Sequence, residues 1–293
     1  MTTKHARATA TFSALIATLA LGGCGSNVDV GGFGGAGGEG EGGATTTTGT
    51  GSSGVTVAIH MRSSAEPFAH QDVLAGQTAS AHKSGVRSLT LLRDMNDPSP
   101  FEVFDFGQEA AEVDYAPGAS TLVFEADAAT FPEANFTIAR VVHSYVKYSV
   151  DATMHNAGFV VPGRFDNMQV LSDGSLVDGE LYDAGHYEYT FVAGGMSFPA
   201  TGENAPIPEW QSSGGFSVVF ENGEWAYYFP VSLPTSPALP ADMNVILEVN
   251  MHESFRWSDQ QAPNYEPGVF DVTPTSFEPV QKFGANAFSV YAE

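Results

Sequence analysis

From Val55 onward the chain alternates apolar and polar residues in short runs broken by turn residues. Val55 to Met61, Val86 to Leu92, Phe101 to Phe106, Thr121 to Glu125 and Phe136 to Thr153 are rich in β-branched and aromatic side chains. So are Tyr187 to Val192, Phe216 to Glu221, Trp225 to Phe229, Val245 to Trp257 and Ala287 to Tyr291. Within the longest run, Val142, Ser144, Val146, Tyr148 and Val150 share one face, and His143, Tyr145, Lys147, Ser149 and Asp151 share the other. One face is mostly apolar and the other largely polar, which predicts a half-buried strand. Turn residues separate the runs: Asn96-Asp97-Pro98, Pro117-Gly118, Asp173-Gly174, Asp178-Gly179 and Asn222-Gly223. The runs Phe216 to Glu221 and Glu224 to Phe229, joined by Asn222-Gly223, predict a hairpin, because Asn-Gly tolerates the positive φ that a type I′ turn needs. Helical periodicity is lacking, and Asp127 to Phe131 predicts a single turn. Short strands at frequent intervals predict an all-β fold, an antiparallel β-sandwich of jelly-roll or Ig-like type. Residues 55–293 are enough for one such domain; a split into two near residues 155 to 165 is the alternative.

The first 23 residues have a different pattern. Lys4 and Arg7 precede an apolar run from Phe12 to Leu21, which ends in Gly22-Gly23-Cys24. A basic start, a short apolar stretch and small residues before a cleavage point predict a signal peptide, too short to span a bilayer. Cys24 is the only cysteine, so no disulfide can form within the chain. Leu21-Gly22-Gly23-Cys24 resembles the lipobox of bacterial lipoproteins. The resemblance implies that the sulfur of Cys24 carries a diacylglycerol and that Cys24 becomes the new N-terminus. In that family an aspartate after the cysteine favours the inner membrane; Gly25 stands here, which implies export and anchoring to the outer membrane. Residues 24–54 are Gly-, Thr- and Ser-rich, and too few apolar residues occur there to offset the entropy of ordering. As a flexible linker of 30 residues after Cys24 they would span about 30 Å root-mean-square.

The net charge is −23, with 11 Lys+Arg against 34 Asp+Glu. Counterion release at phosphates needs clustered basic residues, and none cluster here, which excludes nucleic acid as a partner. No G-x-S-x-G elbow, H-E-x-x-H, P-loop or EF-hand loop is present. Two sets of residues have the chemistry of metal ligands. Asp166, Asp173, Asp178 and Asp183, with Asn167 and Glu180 beside them, offer the oxygens that calcium takes in sixes to eights. Asp-Gly also turns a hairpin with no ion, so the same residues read as plain turns. His60-Met61, Met154-His155 and Met251-His252 offer the imidazole and thioether that suit copper. Neighbours on a strand point to opposite faces, so a site would need His60, His155 and His252, or their methionines, to converge from separate strands. Trp210, Trp225 and Trp257, with Tyr187, Tyr189, Tyr227 and Tyr228, would make either core or a platform for sugar rings or peptides. Arg256, in Phe255 to Asp259, is expected to stack on a ring or pair with a carboxylate such as Asp259.

Asp127 to Asp151 is weakly similar to sandwich domains of unknown function in exported lipoproteins, which implies the fold and no activity. The expectation is a lipid-anchored cell-envelope protein, non-catalytic, that binds or scaffolds polysaccharide or another protein, with calcium as a possible stabiliser. A copper-handling envelope protein and an exported hydrolase are the alternatives.

Overall fold

The long alternating run is the spine on which the other strands are hung. The computed structural model describes residues 54–205 and 215–293, which belong to one compact unit. The expected signal peptide, Cys24 and the expected linker up to residue 53 lie outside the described residues. In chain order the strands are β1 (Thr56–Ser64), β2 (Ala75–Gln77), β3 (Ala81–Leu92), β4 (Phe101–Asp105), β5 (Ala111–Asp114), β6 (Ser120–Asp127) and β7 (Ala134–Asn156). Then come β8 (Phe159–Val170), β9 (Ser175–Val177), β10 (Glu180–Tyr182), β11 (Tyr187–Ala193), β12 (Met196–Gly202), β13 (Ser217–Glu221) and β14 (Glu224–Thr235). The last are β15 (Met243–Asn250), β16 (Phe255–Trp257), β17 (Asp271–Thr273), β18 (Ser276–Phe277), β19 (Val280–Lys282) and β20 (Ala287–Ala292). The fold is all-β and, among the described residues, almost wholly antiparallel, with β1–β15 and β17–β7 the two parallel pairs there. One 3₁₀ turn, Ala128–Thr130, is capped by the Asp127 carboxylate and matches the single turn expected there.

β7 carries β3 along one edge and changes partner on the other. Up to Val142 it pairs with β14, and from Tyr145 it pairs with β8. β13 extends β14, β11 and β12 extend β8, and β4 and β5 flank β3, so a large curled sheet forms. At the changeover β7 has a bulge: Tyr145 faces Gly85 and His143 faces Val86, leaving Ser144 unmatched. An extra residue moves every later side chain to the opposite face. The core-facing positions just before the bulge are odd (Ala139, Val141) and those after it even (Val146, Val150); Phe136 reaches the same core from beyond a separate register shift between Pro230 and Leu233 of β14. The single apolar face expected from Val142 to Val150 is therefore broken at Ser144, and His143 and Tyr145 are buried rather than solvated.

Two smaller sheets supply the second layer. The sheet ordered β20-β15-β1-β6 places Val57, Ile59, Met61, Val245 and Leu247 on Phe136, Val141, Leu89 and Phe229. The sheet ordered β19-β16-β2 places Phe255 and Trp257, with Phe270, on Val146, Val150, Phe165 and Phe191. Each such side chain contributes about 1.5–3 kcal/mol on burial. The predicted Asn222-Gly223 hairpin is present: Glu221 pairs with Glu224, and both turn residues have positive φ. The expected run from Val245 to Trp257 is in fact two strands, interrupted by a turn in which Glu253 has φ 47°.

Candidate binding groove

After the bulge, the polar residues of β7 no longer face a second layer. Lys147 and Ser149 sit beside Lys83 of β3, Asp166 and Met168 of β8, and Glu188 and Thr190 of β11. Register explains the gathering: Lys147 is opposite both Lys83 and Met168, and Ser149 is opposite Asp166. Met168 in turn faces Glu188, and Asp166 faces Thr190. Four adjacent strands thus bring polar side chains to one surface, with Ala81 and Met168 among them, and the β9–β10 hairpin overhangs it with Asp178. The result is a groove of about 360 Å³.

The charges in the groove are mutually satisfied and held in place. Lys147 Nζ contacts both Asp178 oxygens, at 2.7 and 3.0 Å, and sits 5.1 Å from the centre of the Tyr145 ring. Lys83 donates to Glu112, which also accepts from Tyr145 Oη at 3.2 Å. The Lys83 hydrogen bond holds the Glu112 carboxyl below the usual carboxylate range, and Glu112 raises the Lys83 ammonium in return. Burial alone would raise the Asp166 carboxyl. Hydrogen bonds from Arg164, at 2.6 and 2.8 Å, and from Ser149, at 2.6 Å, outweigh it and leave Asp166 below its ordinary value. In a chain with net charge −23, this is a place where cations and anions alternate at short range. Such a surface offers donors and acceptors together, which suits a ligand rich in hydroxyls.

A second, smaller cavity of about 40 Å³ lies between the layers, lined by His82, Ser84, Tyr115, His143 and Tyr227. Burial lowers His82 to about 3, with His143 nearby adding to it, and lowers His143 to about 4. Both rings are neutral at pH 7. Ser84 Oγ donates to the Tyr145 carbonyl at 2.8 Å and lies 2.8 Å from His143 Nδ1. With its one proton committed, Ser84 accepts from the imidazole, the reverse of what a nucleophile needs from a base. Among the described residues no carboxylate hydrogen-bonds either group.

The four aspartates expected to share calcium have separate partners. Asp166 pairs with Arg164, and Asp178 with Lys147. Asp178-Gly179 turns the β9–β10 hairpin with φ of 51° and 90°. Asp173 and Asp183 cap each other's turns, Asp173 accepting from Ala184 N–H at 3.0 Å and Asp183 from Gly174 N–H at 3.1 Å. The plain-turn reading accounts for them: their oxygens are directed at local backbone or at bases, not at one common centre.

The three histidines proposed for copper also stand apart. His60 lies mid-strand in β1, and His155 binds the buried Asp271 at 2.6 Å with its ring 4.8 Å from Tyr265. Met61, Met154 and Met251 are core residues. Among the described residues His252 is the one of the three that belongs to a cluster of three ligand-type side chains, with His70 and Glu253. The aromatic residues are likewise dispersed. Trp257 is fully buried, Trp225 lies tilted against Phe220 at 4.9 Å, and Tyr187 stacks on Tyr189 at 5.5 Å. Tyr227 meets His143, and Tyr228 joins Arg140 and Glu221. Trp210 is outside the described residues. Arg256 does form an ion pair, but with Asp72 and not with Asp259, which instead accepts from Gly268 N–H.

Sequence reasoning named Asp166 and Asp178, as calcium ligands and not as groove residues, and missed Lys83, Met168, Glu188 and Thr190. The polar face of β7, with Lys147 and Ser149 on it, was the other available signal. In comparisons with known proteins, no protein-family model, no curated protein and no solved structure matches the chain.

Proposed function

We propose that this chain is a lipid-anchored protein of the cell envelope whose body binds a glycan segment in the groove between β3, β7, β8 and β11, and does no chemistry on it. The observation that carries the reading is the row of paired charges and hydroxyls from four neighbouring strands, overhung by Asp178. Glycan hydroxyls are both donors and acceptors, and Lys147, Ser149, Asp166, Glu188 and Thr190 supply the complements within one polar cleft. Sites of this kind bind through a few placed polar groups on a rigid scaffold. The anchor rests on the Leu21 to Cys24 motif and the apolar run before it.

Titration of the purified protein with soluble oligosaccharides from bacterial envelopes tests the groove. Lys147→Ala and Asp166→Asn are expected to weaken binding at least tenfold, about 1.4 kcal/mol. Arg62→Ala, on the other layer, leaves it unchanged. Absence of binding to any of these glycans, or indifference to both groove substitutions, ends the reading. For the anchor, labelled fatty acid is expected on the wild-type chain and none on Cys24→Ala; equal labelling of the two overturns it.

A further inference from the structure

We propose that His70, His252 and Glu253 form a binding site for one borderline divalent transition-metal ion, with zinc the probe that fits it. The parallel pairing of β1 and β15 sets Ser64 opposite Asn250, so both strands end at the same place. The chain leaving β1 crosses that end as an irregular loop, where Asn250 Nδ2 holds the Glu66 carbonyl at 2.9 Å. This brings His70 beside the turn that follows β15. One ring nitrogen from each histidine and one Glu253 carboxylate oxygen lie within 4.8 Å of one another. Ligands of one tetrahedral ion with bonds of roughly 2.0–2.2 Å stand about 3.3–3.6 Å apart, so side-chain rotation has to draw the three atoms together around the ion. The two imidazoles stack with centroids 6.3 Å apart.

The site is built rather than incidental. His70 Nε2 donates to the His252 carbonyl at 3.2 Å, the kind of hydrogen bond that fixes the ring of a ligating histidine. Its Nδ1 is buried with no hydrogen-bond partner, a lone pair with nothing to meet. Thr78 Oγ1 accepts from Glu253 N–H at 2.8 Å and so fixes the backbone that aims the carboxylate. Arg256 stands 3.8 Å from Glu253 but is engaged more closely by Asp72 and the Leu74 carbonyl. Two imidazoles and a carboxylate suit zinc or its neighbours, and leave a coordination position open. Calcium wants many more oxygens. The site shares no residue with the groove, so it stands or falls independently of the glycan reading.

Binding has a built-in reporter. His252 Nδ1 accepts from Phe68 N–H at 3.3 Å. If Nδ1 takes the metal, that bond is displaced; if Nε2 takes it, Nδ1 must carry the proton and can no longer accept. Either way the Phe68 amide is released. The metal-free full chain, titrated with zinc against a chromophoric chelator, is expected to take up about one equivalent in this site. His70→Ala, His252→Ala and Glu253→Gln each weaken uptake by at least tenfold, while His60→Ala and His155→Ala do not. In the wild-type protein one equivalent of zinc shifts the Phe68 amide resonance and speeds its solvent exchange, a readout that needs no substitution. No uptake, uptake that survives all three site substitutions (as binding through Cys24 would), or an unmoved Phe68 amide overturns the proposal.

Discussion

The two halves of β7 have the same kind of sequence and opposite environments. Before Ser144 the strand is roofed by the β20-β15-β1-β6 sheet, and Phe136, Ala139 and Val141 help to make the larger core. Beyond Ser144 the apolar side is roofed by the β19-β16-β2 sheet, while the other side carries Lys147 and Ser149 into an open groove. One unmatched residue separates them. The first half lends the fold its stability, and the second combines a core face with a face free for a ligand. Substitutions should therefore cost folding in one half and binding in the other.

The largest effect is expected at Phe136→Ala, which removes a fully buried ring and costs about 3–5 kcal/mol of stability. Urea unfolding measures it, and a cost below that of a surface substitution would break the contrast. Next is acid. His82 and His143, lowered to about 3 and about 4, stay neutral when folded but protonate near 6.5 when unfolded. Only the unfolded chain takes up protons between pH 6.5 and about 4, so stability falls as the pH drops through that window and is flat above it. The slope approaches about 1.4 kcal/mol per pH unit for each histidine. His82→Gln with His143→Gln should flatten the curve between pH 6.5 and 5, before the carboxylates begin to titrate. Third, Arg256→Leu leaves Asp72 with Lys282 as its remaining cation, at 2.8 Å. The Arg256 side chain is only 4% exposed, so breaking the pair costs about 2–3 kcal/mol, somewhat below the loss of a sole buried partner. Smallest is Lys147→Ala, whose partner Asp178 is 77% exposed; thermal unfolding should move by less than about 1 kcal/mol. A groove substitution that unfolded the protein would sink the division of labour.

Much of the fold was readable from alternation and turn chemistry. The β13–β14 hairpin, the Asp127 turn and most long strands follow from local rules. β8 escaped because Pro162 and Gly163 interrupt it. Pro162 is tolerated since β11 pairing stops at Arg164, leaving one side free there. Gly163 is needed for close approach: a Cβ would lie 2.4 Å from the Val192 carbonyl oxygen. The Ser144 bulge has no sequence mark, because it arises where β7 exchanges one neighbour for another. It is also the point where Arg87 reaches Ser144 and Ser175, at 3.2 and 2.9 Å. The groove was legible only in part, since one strand's alternation shows a polar face but not which other strands will stand beside it. His70 was hidden for a similar reason. It is close to His252 only because two distant strands end together.

The parallel union of β1 with β15 has a consequence for how the molecule comes into being. The Thr56 amide reaches Asp242 across 186 positions of sequence, and β1 has no other neighbour on that edge. Until residues 243–250 have left the ribosome, the first strand of the body is half-paired at best, with its backbone exposed. Contacts this remote in sequence slow folding and prolong the life of sticky intermediates. Removing the tail from Met243 on would strip β1 of its parallel partner and so undo the beginning of the body.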